Sequence, residues 1–208
     1  MKKLIRLLNN TIKEFKHDRR IKKLAATTEK LRNEKQSDYE RWRKSEQLFE
    51  DWNERTILLA TMINPGAKVI EFGAGNMAIK QALPSYCSYT ASDIVKRDKQ
   101  TLVCDLNDKI PFDLSKYDTA IFSGVLEYVF DIDKVFKQFP ESLKNVVLSY
   151  SCSDISNENR LKNGWLSDYK KNDLENIFES HHYSISEYKE WRNQSIFSLE
   201  KHIKNSQL

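Results

Sequence analysis

Apolar positions follow two different rhythms along this chain. Up to residue 64 they recur at intervals of three and four, and from residue 67 to 201 they cluster in short runs separated by turn signals. The first spacing puts side chains on one face of a helix, and the second suits strands buried in a sheet. Leu4, Leu8, Ile12 and Phe15, with Ile5 alongside, form one helical stripe. Trp42, Phe49, Trp52, Thr56, Leu59 and Ile63, with Leu48, form another that stops at Asn64-Pro65-Gly66. Pro-Gly is a strong helix stop, so at least two helices are expected before the sheet.

Beyond it, strands are expected at 69–72, 88–92, 101–104, 119–122 and 145–150, and helices at 76–83 (closed by Pro84), at 131–138 and from Asn172 or Asp173. Residues 183–191 and 195–200 read as a closing hairpin joined at Arg192-Asn193-Gln194. Only Val95 to Gln100 separates the second strand from the third, too little for a crossover helix. The expected fold is α/β: a Rossmann-like, mostly parallel sheet with a C-terminal antiparallel hairpin, preceded by an N-terminal helical extension. The extension spans 1–64, with a basic first helix and an aromatic second; the sheet domain spans 65–208.

A chain of 208 residues suits one such domain plus an appendage. No run is long and apolar enough for a membrane span. Arg6, Asn9 and Asn10 interrupt the only stretch that opens like a signal peptide. The expected location is cytoplasmic. Cys87, Cys104 and Cys152 are widely spaced and lack a C-x-x-C, which argues for buried thiols and against a disulfide framework or a zinc site. Charge changes the picture more: residues 1–24 hold nine lysines and arginines against Glu14 and Asp18. Such a helix can dock on its own domain, lie on an anionic membrane, touch a protein, or meet nucleic-acid phosphates through residues 2–24.

The chemistry centres on Val69-Ile70-Glu71-Phe72-Gly73-Ala74-Gly75, a strand feeding a glycine turn. A backbone without Cβ there lets a ligand approach closely. Gly73-Ala74-Gly75-Asn76-Met77-Ala78 also satisfies the dinucleotide pattern G-x-G-x-x-G/A, with Asp93 18 residues after Gly75. A nicotinamide oxidoreductase therefore stays open on the glycines alone. Glu71 tips the balance, because a buried carboxylate needs a partner and a ligand ammonium could be one.

In the order acid-x-Gly-x-Gly the stretch resembles the class I S-adenosylmethionine-dependent methyltransferases, with Met77 where their third glycine usually stands. The resemblance covers about residues 67–201. It implies that Glu71, Gly73, Ala74, Gly75 and Asn76 cradle S-adenosylmethionine and that Asp93, with Ile94, meets the ribose hydroxyls. It further implies that Asp105 accepts the adenine amino group, that the Leu106 backbone meets a ring nitrogen, and that Ser123, Gly124 and Val125 lie by the methionine half. Glu127 and Tyr128, in the place of a frequent Glu-His pair, are the catalytic candidates. A hydroxyl acceptor would need a general base, for which His181 and His182 are further candidates by position. Residues 151–163 suggest a substrate-side lid, and no metal is expected. The expected acceptor is a small molecule, more narrowly a sugar or polysaccharide precursor. The Asn/Asp-Pro-Pro-aromatic segment of base-amino methylases is absent, which lowers an RNA substrate. RNA methylation through the basic arm and a non-catalytic binding protein remain the alternatives.

Overall fold

The computed structural model describes residues 2–202, with side chains from Ile12 onward. Leu4, Ile5 and Leu8 of the first stripe lie outside the described side chains. One seven-stranded sheet runs in the order β3-β2-β1-β4-β5-β7-β6. Its strands are β1 (Lys68–Phe72), β2 (Ser88–Asp93), β3 (Leu102–Val103), β4 (Thr119–Ser123), β5 (Asn145–Tyr150), β6 (Tyr183–Trp191) and β7 (Gln194–Lys201). β1 to β5 pair in parallel, and β7 enters antiparallel between β5 and β6. The hairpin turn is Arg192-Asn193, both at positive φ (44° and 61°), the twist that matches antiparallel strands.

Alternation along the strands makes two cores. Ile70, Phe72, Phe122, Leu148 and Phe197 pack against α4 (Ile132–Phe136) and α6 (Lys171–Ser180). Val69, Ile121, Val147 and Ile196 pack against Leu59 and Ala60 of α3 (Asn53–Ala60). A sheet covered on both faces needs apolar residues at every strand position, which is why these runs read as continuous.

The helices differ from expectation in four places. α1 (Lys2–Glu34) is one unbroken helix, and the two described residues of its stripe do not dock: Ile12 and Phe15 are 51% and 68% exposed. Contact with the domain comes instead from its C-terminal half, where Thr28 is buried and Arg32 donates from Nε and Nη2 to the Trp165 carbonyl at 3.1 and 2.8 Å. The second stripe is not one helix but α2 (Tyr39–Trp42), two 3-10 turns (Ser45–Gln47 and Glu50–Trp52) and α3. Extended backbone at Lys44, Leu48 and Phe49 breaks it, and the breaks let Trp42, Leu48, Phe49 and Trp52 all reach the glycine turn. The helix expected at 76–83 shrinks to a 3-10 turn, Ala78–Gln81, because Met77 takes the left-handed conformation (φ 56°) just before it and Pro84 follows just after. α6 starts at Lys171, ahead of the expected cap; Asp173 accepts from the Lys170 N–H at 2.8 Å.

Between β2 and β3 the link carries no helix, as its length requires. Asp98 Oδ1 organises it by accepting from Gln100 N, Thr101 N and Thr101 Oγ1 at 2.9, 2.7 and 2.7 Å. Among the described residues no helix is long and apolar enough to cross a membrane, and no cluster of residues could hold a metal ion. The three cysteines are free; burial pushes the Cys104 and Cys152 thiols up to about 12 and about 11, leaving them inert.

Candidate active site

Parallel strands end on one edge, and there the tips of β1 to β4 surround a cleft that opens to solvent. Glu71, Gly73, Ala74, Gly75, Asn76, Asp93, Ile94, Asp105, Leu106, Ser123, Gly124 and Val125 all line it, as does Tyr128; Glu127 does not. Gly73, Gly75 and Met77 take positive φ (66°, 51° and 56°), and the turn is held from within: Ala74 N donates to the Ser92 carbonyl, Gly75 N to Asp93 Oδ2 and Met77 N to the Ala74 carbonyl, at 3.0, 2.9 and 2.7 Å. A Cβ on Gly73 would stand 2.5 Å from Val125 Cγ2, so the turn and the β4 loop close on each other only with glycine.

The three acids at the tips are in different electrostatic states. Glu71 is 2% exposed, and Oε2 accepts the Tyr89 hydroxyl at 2.5 Å with no cation beside it among the described residues. Burial pushes its pKa up to about 8; the Tyr89 hydrogen bond opposes that rise and the neighbouring Asp93 charge adds to it. Asp93 is also buried but already compensated. Its carboxylate accepts Gly75 N and Val95 N, each at 2.9 Å, and pairs with Arg97 Nη2 at 3.0 Å. Arg97 in turn donates to the Trp42 carbonyl at 2.8 Å, tying the helical extension to the cleft. Asp105, half-buried, accepts Ser37 Oγ and Asn107 N, each at 2.9 Å.

Beyond β4 lies a second cavity, also open, walled by α1, α5 (Arg160–Asn163), the β6–β7 turn and the strand-tip loops. Asp38, Phe49, Trp52, Arg55, Gly124 and Tyr128 line both spaces. Glu127 belongs to the second alone. It is 1% exposed, Oε1 accepts Ser151 N at 2.9 Å, and Oε2 has no partner. Burial raises its pKa, while Arg55 and Arg160 oppose the rise. Burial likewise raises the Tyr128 pKa, with Arg41 opposing.

His181 and His182 are elsewhere. Tyr183 opens β6 opposite Lys201, and β7 there pairs with the first residue of β5, so the histidines sit at the amino edge of the parallel strands. His181 Nε2 pairs with Asp133 Oδ1 at 2.8 Å. The stretch 151–163 is less a lid than a packed wall: Ser151, Cys152 and Ser156 are buried, and Arg41 Nη1 donates to the Asn163 carbonyl at 2.9 Å.

Sequence reasoning missed Arg55, Arg97 and Asn107. Arg55 is 5% exposed and bonds Gln194 Oε1 and the Ser123 carbonyl at 2.8 and 3.2 Å. Asn107 Nδ2 donates to Ser37 Oγ and the Tyr128 carbonyl, and Oδ1 accepts Phe130 N, stapling the β3 and β4 loops together. The only sequence signal for Arg55 is a cation one residue before Thr56 in an otherwise apolar stripe.

The sequence model of the methyltransferase domain matches residues 42–197, so it begins within the helical extension. No curated protein matches the chain. Among solved structures, a Burkholderia thailandensis 1,6-didemethyltoxoflavin-N1-methyltransferase, with bound 1,6-didemethyltoxoflavin and S-adenosylhomocysteine, is similar at TM-score 0.60 and 15% identity, over 86% of this chain and 89% of that one. A [4+2]-cyclase is similar at TM-score 0.58 and 11% identity, over 73% and 81%. An O-methyltransferase from neocarzinostatin biosynthesis, in complex with S-adenosylmethionine and 2-hydroxy-5-methyl naphthoic acid, is similar at TM-score 0.54 and 13% identity, over 69% and 52%. With three-quarters of its length matched and a sheet of the same architecture, the chain belongs to the methyltransferase-domain family.

Proposed function

We propose that this chain transfers a methyl group from S-adenosylmethionine to a small-molecule acceptor, with the cofactor in the strand-tip cleft and the acceptor in the cavity beyond it. The observation that carries this reading is the shared wall: Gly124, Arg55 and Tyr128 face both spaces. The cleft fits the cofactor by its donor set. Glu71 is a buried carboxylate with a hydroxyl but no cation for a partner, beside the glycine turn and the apolar walls of Leu48, Ile94 and Leu106. When bound, the cofactor supplies a methyl group on a positively charged sulfur.

Glu71 would face the ammonium end, Asp93 the ribose and Asp105 the adenine. Asp93 enters that role pre-oriented, because Arg97 and two N–H groups fix its carboxylate and still leave part of its accepting capacity. Methyl transfer needs mainly a nucleophile held in line about 3 to 3.5 Å from its target. Glu127, in the wall of the second cavity, and Tyr128, between the two spaces, are the proposed catalytic groups, Tyr128 to orient the acceptor. Residues 42–64 act as part of the binding unit in this reading, since Trp42, Phe49 and Trp52 wall the cleft. Trp52, Trp165 and Trp191 border the second cavity with arginines over their rings, Arg160 on Trp165 at 4.8 Å and Arg192 on Trp191 at 4.5 Å; a ring-bearing acceptor such as a sugar is the narrower form of the proposal.

Co-crystallisation with S-adenosylhomocysteine tests the reading. Density for the adenosine between Asp93 and Asp105 is expected; packed side chains or solvent at the strand tips would remove it. Two observations favour other readings. The cyclase neighbour has this fold, so binding without methyl transfer is the first. The exposed Ile12 and Phe15 on a basic helix leave a membrane, protein or RNA contact as the second. An RNA contact predicts log affinity falling linearly with log salt.

A further inference from the structure

The second cavity holds more positive charge than its walls neutralise. Arg20, Lys23, Arg41, Lys44, Arg55, Lys162 and Arg192 line it against Asp38, Glu40, Asp51, Glu127 and Glu158, seven basic side chains to five carboxylates. Two of the basic groups are held deep in the wall, and neither forms an ion pair among the described residues. Arg55 gives its hydrogen bonds to neutral oxygens, at Gln194 Oε1 (2.8 Å), the Ser123 carbonyl (3.2 Å) and Ser123 Oγ (3.4 Å). Arg41 donates Nη1 to the Asn163 carbonyl at 2.9 Å and lies over the Trp42 and Tyr128 rings at 4.7 and 5.5 Å, while its buried Nε has no partner.

Space has been cleared for both guanidinium groups. A Cβ on Gly124 would overlap that of Arg55, and one on Gly164 that of Arg41. The only fully buried carboxylate on these walls is Glu127, whose Oε2 is unpartnered, as is the buried Oγ of Ser151 beside it. Arg55 has the Glu127 carboxylate near it but not in ion-pair contact, and Arg41 has no carboxylate within ion-pair distance among the described residues. Guanidinium groups held in this way are arranged for an anionic ligand.

On the methyl-transfer reading above, we infer that the acceptor carries an anionic group, a carboxylate or a phosphate, held by Arg41 and Arg55. Forked guanidinium donors suit either oxyanion. The rim lysines add attraction that salt screens.

The test is calorimetry on the full chain saturated with S-adenosylhomocysteine, at constant ionic strength, with two matched pairs of probes: salicylate against salicylamide, and glucose 6-phosphate against glucose. In at least one pair the charged member should bind about tenfold tighter or more, and the pair that does so separates carboxylate from phosphate. Arg41→Gln should erase that preference and leave S-adenosylhomocysteine affinity unchanged, because Arg41 does not line the cofactor cleft. Arg41→Lys should keep part of it. Should Arg41→Gln fail to fold, the exposed Lys44→Gln/Lys162→Gln pair should lower the preference instead.

Equal binding of charged and neutral members, no saturable binding of either charged probe, or a preference that survives these changes would overturn the inference. Failure of S-adenosylhomocysteine to bind the wild-type chain removes the methyl-transfer reading itself, and this inference with it. That failure is distinguishable because it shows before any acceptor probe is added.

Discussion

Two spaces meet at Gly124, and they are built on opposite electrostatic plans. On the cofactor side the charged groups are carboxylates at strand tips, set by local sequence: Glu71 is the last but one residue of β1, Asp93 ends β2, and Asp105 follows β3 by two residues. On the far side the charged groups at the shared wall are the guanidiniums of Arg41 and Arg55, from α2 and α3, near one buried carboxylate with an unpartnered oxygen. The first plan is nearly complete without a ligand, since Asp93 has Arg97 and Asp105 has Ser37 and Asn107. The second is incomplete. The part of a site that binds a common cofactor can be prearranged, whereas the part that selects an acceptor leaves its unmatched groups for the acceptor to meet.

The contrast is broken most severely at the shared wall. Gly124→Ala places a side chain at φ 62° against the Arg55 guanidinium, and should destabilise the chain by about 3 kcal/mol in urea unfolding, combining backbone strain with displacement of a buried cation. An unchanged midpoint would mean that the wall is loose. On the cofactor side, Asp93→Ala should weaken S-adenosylhomocysteine binding by about 1.5 to 3 kcal/mol by calorimetry, while unchanged affinity would take Asp93 out of the site.

Glu71 sharpens the comparison through pH. Its folded pKa, about 8, exceeds the ordinary 4.5, so between those values the ligand-free folded chain binds more protons than the unfolded one. The contribution is full below pH 4.5 and is lost as pH rises toward 8, with a slope of up to about 1.4 kcal/mol per pH unit. Urea midpoints across that window should show the fall, and Glu71→Gln should flatten it; an identical profile in the variant would contradict the burial argument. The smallest effect is expected at Met77, already in the left-handed conformation in the cofactor turn. Met77→Gly should alter stability by less than about 1 kcal/mol, because relieved strain is offset by a freer unfolded chain. A larger loss would show that the Met77 side chain contributes packing that the turn needs.

The same divide decides what could be read from the chain. Strand alternation, the glycine turn, the three tip acids and the hairpin are written in contiguous residues, and the sheet and the cleft follow from them. The helices after the glycines and before the sheet were over-read. Periodicity at Trp42, Phe49 and Trp52 reflects a demand to reach the cleft, which broken backbone satisfies better than one helix face. Arg55, Arg41 and Gln194 carry no local pattern; they meet only because α3, α2 and the β6–β7 turn fold over β4. The histidines illustrate the reverse error, since a chemically apt pair falls at the edge of the sheet away from the site.

The central claim is that the acid-tipped cleft takes an adenosine-bearing sulfonium. Titration calorimetry of S-adenosylmethionine, S-adenosylhomocysteine and NAD into the full chain tests it most directly. Micromolar binding of the first two, weakened in Asp105→Ala, with none of NAD, is the predicted result. Tight binding of NAD, or no heat from either sulfur compound under conditions where the chain is folded, would contradict it.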